Sequence, residues 1–194
     1  MQSEKLNAND SNGASLTRNS SHQEKAEAHG KFRIECRDKD GNIKWVEEID
    51  NVVTTVGKNA ALDAYLAGSA YTVTGPFMGL ISSTSFSAVA AADTMSSHAG
   101  WLEAGTANTP TYTGPRKTAA WSAASGGSKA LSAALSFAIT GSGTVKGCFL
   151  VFGSGAVSTI DNTSGVLYSA GLFSGGDKAV VNTDTLNVSY TASL

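Results

Sequence analysis

The sequence predicts a mainly-β protein, with a β-sandwich or jelly-roll-like body, one short helix and an extended N-terminal arm. Short apolar or alternating runs recur between clusters of Gly, Ser, Asn and Pro, the pattern of antiparallel strands joined by turns. Only one segment, near residues 57–67, carries apolar residues at convincing helical spacing. A chain of 194 residues suits one domain with appendages. Here these are an arm over 1–30 and a body over 31–194, the body comprising a hairpin plus helix (31–67) and sandwich strands (68–194).

The arm is rich in Asn, Ser, Glu and Lys, and after Met1 its large aliphatics are Leu6 and Leu16. Ordering a chain costs about 1–2 kcal/mol per residue in backbone entropy. A segment this polar cannot offset that by its own burial, so it is expected to order against a partner. Leu6 and Leu16 would be its anchors, with Phe32 and Ile34 the adjoining candidate partner-binding residues.

The body opens with "KFRIECR", which places Phe32, Ile34 and Cys36 on one face and Arg33, Glu35 and Arg37 on the other. "DKDGN" turns the chain and "IKWVEEI" returns it, with Ile43, Trp45 and Ile49 expected inward. Asp38, Asp40 and Gly41 resemble the start of a calcium loop, but the later ligand positions and the closing Glu are missing. A turn is expected.

"NVVTTVGKNAALDAYLAG" reads as a short strand and then the helix, with Ala60, Leu62, Tyr65 and Leu66 near one face and Gly68 as its stop. Gly57-Lys58 lacks the upstream glycine of a phosphate loop. Beyond it, "FMGLIS", "KALSAALSFAIT", "VKGCFLVFG", "GVLYSAGLF", "KAVVN" and "TLNVSYTA" read as strands. Leu131, Ala133, Leu135, Phe137 and Ile139 are expected on one face.

Charge is scarce and uneven. Lys and Arg number 14 and Asp and Glu 16, for a net charge of −2. Residues 59–194 hold only 5 of the bases and 6 of the acids. A surface so thinly charged suits packing against other protein, and no basic run marks a nucleic-acid partner. No apolar segment is long enough for a membrane helix, and the N-terminus has no signal-peptide core. The sequons at Asn19, Asn162 and Asn187 therefore carry no weight. Cys36 and Cys148 lack metal-ligand spacing and are expected to be buried, reduced thiols. No cofactor or metal is expected.

"AAADTMSSHAGWLE" gathers Asp93, Ser96, His98 and Glu103 in one stretch. Catalytic triads draw their members from separate segments, because each group approaches the next from a different direction. No oxyanion motif such as GxSxG accompanies the stretch, and His98 has no partners of metal-ligand type. A structural corner is expected instead. Asp93 would cap a one-turn helix with Ser96 at its third position, His98 and Trp101 would pack the exit, and Gly100 could supply a positive φ. No catalytic residue is expected, and the chain reads as a non-enzyme.

Three long strings, "KFRIECRDKDGNIKWVEEIDNVVTTVGKNAALDAYLAGSAY", "FMGLISSTSFSAVAAADTMSSHAGWLE" and "LYSAGLFSGGDKAVVNTDTLNVSYTASL", resemble a family of small tailed-bacteriophage virion proteins. The resemblance covers roughly residues 30–194, and "AADTMSSHAGW" and "DTLNVSYT" are its most distinctive parts. It implies a structural component of the particle and assigns no residue a role. A head decoration or cement protein on the outer capsid surface is the expected form, made in the host cytoplasm. Its partners would be the major capsid protein and copies of itself, without nucleic acid or membrane. A tail or receptor-binding component is the alternative, with Trp101, Tyr112 and Trp121 as candidate sugar-stacking aromatics. A lytic enzyme would need a carboxylate pair in a cleft, which the six carboxylates beyond residue 58 give little sign of.

Overall fold

A computed structural model describes residues 27–66 and 74–193. Among the described residues, twelve strands and one helix form a mainly-β body. Leu6, Leu16 and Gly68 lie outside the described residues. The expected arm boundary at residue 30 moves inward, because His29 and Gly30 already pair in the first strand.

Strands β1 (His29–Arg37) and β2 (Ile43–Val53) form the expected hairpin. Asp38 makes its turn: one carboxylate oxygen accepts the amides of Asp40 and Asn42, each at 2.9 Å. Gly41 adopts a φ of 85° that other residues rarely take. One expectation fails here. Cys36 faces Trp45, but Arg37 faces Ile43, so the register shifts and Lys44 is the extra residue. A bulge of this kind turns the next side chain to the other face. Ile43 therefore points with Arg37, away from the core, and is 52% exposed.

β12 (Thr185–Ser193) pairs with β1 along its whole length. Its other edge takes β8 (Leu135–Gly141) and β7 (Ser128–Ala130). These were expected as one strand through "KALSAALSFAIT". In the register, Ala130 faces Thr191 and Leu135 faces Val188. Four residues thus lie opposite two, the chain loops outward, and Ala133 is exposed rather than core-facing.

The other half of the sandwich is built on β9 (Gly143–Phe152), flanked by β3 (Phe77–Ser82) and by β10 (Val166–Leu172) with β11 (Lys178–Val180). β4 (Glu103–Ala104) and β6 (Lys117–Thr118) extend β3. β5 (Thr111–Tyr112) borders β8. The two halves share β2: Ile43 to Asp50 pair with β1, whereas Asn51–Val53 pair with β10. A parallel bridge between Gly105 and Thr111 joins the far edges, so a single antiparallel sheet nearly closes on itself.

Two cores result. The inner one, between the halves, contains Phe32, Ile34, Cys36, Phe137, Leu186 and Tyr190 against Met78, Leu80, Cys148 and Leu150. The outer one covers the far face of β3, β9 and β10 with Met95, Trp101 and Ala156, against Ile81, Phe149 and Val151. This double covering explains why β3 and β9 read as apolar runs rather than alternating strands.

Helix α1 (Thr55–Leu66) lies against β10. Thr54 caps it, its hydroxyl accepting the Gly57 amide at 3.0 Å and donating to the Leu167 carbonyl. Ala60 is buried, but Leu62 and Leu66 are 55% and 69% exposed. The residues expected near one face are therefore split: Ala60 packs, and Leu62 and Leu66 face out.

Candidate functional site

The segment over residues 83–102 crosses the outer face of β3 and β9, and it holds the cluster that most resembled chemistry. Trp101 is fully buried there, tilted against Phe149 with ring centroids 5.2 Å apart. Its indole N–H donates to the Asp93 carboxylate at 3.0 Å, and the same oxygen accepts the Ala90 amide at 2.9 Å. His98 stacks on the indole at 4.0 Å, its Nδ1 3.0 Å from the Trp101 carbonyl. Ser96 meets the hydroxyl of Thr94 instead, at 3.2 Å. Asp93, His98 and Ser96 are thus not aligned as orienter, base and nucleophile.

The corner differs in two details from its expected build. No helical turn forms over 90–103; Asp93 reaches back to Ala90 rather than forward to Ser96. Gly100 does not adopt a positive φ. A side chain there would lie 2.2 Å from the Ala88 carbonyl oxygen, so glycine is needed for close approach.

A buried ion pair that sequence reasoning missed stands beside this corner. Arg116 and Glu103, both nearly inaccessible, join in a two-pronged contact of 2.8 and 2.6 Å. The guanidinium also donates to the carbonyls of Asn162 at 2.7 Å and Val157 at 3.3 Å, and lies 5.4 Å from the Phe149 ring centre. Glu103 accepts the Asp161 amide at 2.8 Å. Burial pushes the Glu103 carboxyl upward against the pull of Arg116. Strand β4 and two loops, the one before β6 and the one between β9 and β10, are tied at this point. Every named contact is internal, which is the arrangement of a structural clasp.

Asp161, the carboxylate beside that clasp, accepts the Thr106 hydroxyl. Asp184, 1% exposed, is held by Lys44 at 2.5 Å and by the Val181 amide at 2.8 Å. Cys36 and Cys148 are free, buried thiols. Burial pushes Cys36 up to about 12 and Cys148 upward too. Among the described residues no group of three or more His, Cys, Asp or Glu is placed to hold a metal ion. No helix among them is long and apolar enough to cross a membrane.

Two of the candidate partner-binding residues require correction. Phe32 and Ile34 are 0% exposed, in the inner core, because their alternating face is the one that closes the sandwich. Neither offers surface to a partner. Of the three candidate stacking aromatics, Trp101 and Tyr112 are core residues and Trp121 is half-buried. Trp121, Phe152 and Tyr168 line an open hollow beside α1. The apolar surface that remains exposed includes Leu62 and Leu66 on α1 and Val46 and Val52 on β2. No family model matches the chain, and no curated protein or solved structure is significantly similar to it.

Proposed function

We propose that the chain is a non-enzymatic structural protein of a tailed-phage virion, a decoration or cement protein seated on the outside of the head. The observation that carries this reading is where the charges of residues 59–194 go. Glu103 pairs with Arg116, Asp177 with Lys146, Lys178 with Glu47 and Asp184 with Lys44. Asp93 and Asp161 hold an indole and a hydroxyl. The Lys117 and Lys129 ammonium groups reach carbonyls of their own neighbourhood. Apart from Asp63 on α1, the charges of residues 59–194 are thus engaged internally, and the surface of that part of the body carries few free charges. Such a surface packs against protein without a large desolvation cost.

Copies on a lattice need bind only modestly, since many contacts act together. A tail or receptor-binding role calls for displayed aromatics, and the burial of Trp101 and Tyr112 favours the head over it. The test is co-sedimentation of the purified protein with heads that lack it, across a range of salt. Binding through a neutral surface should change by less than about threefold where phosphate-directed binding would fall ~10³-fold or more. Failure to bind heads, or the steep salt loss, would overturn the proposal.

A further inference from the structure

We infer that the apolar trough between α1 and the β7–β12 end of the sandwich receives residues 1–26 of its own chain, with Leu16 as the inserted side chain. Two hollows, of about 390 and about 350 Å³, make this trough. Both are lined by Ala61, Tyr168 and Ala192, so they are continuous, and Trp121 and Phe152 deepen one of them. Ala28 lines the other. The described chain begins at Glu27, so the preceding segment departs from the trough itself. Leu16 lies twelve positions before Ala28, which at about 3.3 Å per step allow a reach of ~40 Å. Leu16 can therefore lie anywhere along the trough.

The occupant follows from composition. Residues 1–26 carry three acids (Glu4, Asp10, Glu24) and three bases (Lys5, Arg18, Lys25), so net charge does not select a seat. Apolar contact does, and Leu6 and Leu16 are the segment's large aliphatics after Met1. Leu16 has the shorter tether and hence the higher effective concentration at the trough. Its neighbours Ala14, Ser15 and Thr17 are small and permit close approach to a floor flanked by alanines. This inference rests on the trough and the chain's point of departure, and it stands whether or not the protein belongs to a virion.

The test is disulfide closure in the full-length chain carrying Leu16→Cys and Ala61→Cys, Cys36 and Cys148 being buried. The reference pair is Leu16→Cys with Asp40→Cys, at the opposite end of the nine-residue strand β1. Intrachain closure is expected about tenfold faster for the Ala61 pair. Equal rates would overturn the inference. A disulfide-linked dimer as the main product would assign the trough to a second copy's segment and overturn it equally. Leu16→Ser, a change outside the body, should speed amide exchange over residues 55–66 and 121–131. Unchanged exchange there would also count against a seated Leu16.

Discussion

Glu103 and Arg116 show how much one residue can depend on another thirteen positions away. Removing one charge from a buried pair leaves its partner uncompensated, which costs about 3–5 kcal/mol, whereas replacing both with apolar residues of similar volume is often near neutral. Glu103→Gln should therefore destabilise more than the double change Glu103→Leu/Arg116→Met. Urea titration of the three proteins checks the order, and a double variant as damaged as the single would contradict it. Trp101→Ala should cost about 3–5 kcal/mol by opening the outer core. His98→Gln, which loses only the stacked ring, should cost about 0.5–1.5 kcal/mol and leave head binding intact. A hydrolytic activity lost in the His98 variant would refute the structural role. The corner was legible in sequence because its residues are neighbours along the chain. The clasp was not, since nothing local links Glu103 to Arg116. Its one available signal was a lone Glu and a lone Arg kept in a stretch otherwise poor in charge.

At the scale of elements, strand identity was readable and strand faces were not always. Period-two alternation located β1, β8 and β12, but the bulge at Lys44 and the loop over Leu131–Ala134 depend on pairing with partners distant in sequence. The helix shows the same limit. Its apolar spacing was visible, yet the face that packs was set by Gly57, where a Cβ would lie 2.4 Å from the Tyr168 carbonyl oxygen. That contact lets α1 sit directly on the β10 backbone. Gly57→Ala should therefore destabilise the protein by about 1–3 kcal/mol through overpacking, although alanine is the better helix former. A thermal melt higher than that of the parent protein would show that α1 can retreat from β10 at no cost.

Across the whole molecule, the mainly-β class followed from composition and turn spacing, whereas the sharing of β2 between the two halves follows from pairing alone. The closed core also sets a pH response. Burial raises the thiols of Cys36 and Cys148 and the phenols of Tyr112 and Tyr190. In the unfolded chain these groups ionise near their ordinary values of 9.0 and 10.0. Above that range the folded state binds more protons than the unfolded one, so stability is full below about pH 9 and falls as pH rises. Urea midpoints should hold from neutrality to about pH 9 and decline steadily towards pH 11. A midpoint that stays level to pH 11 would mean that the core admits water to these groups.

The proposed place on the head of a particle rests on the sparse charge of residues 59–194 and on the sequence resemblance. The most direct measurement is electron microscopy of intact virions labelled with an antibody against the body of this protein. Label spread over the head surface is the expected result. Label confined to the tail, or virions without label, would contradict it.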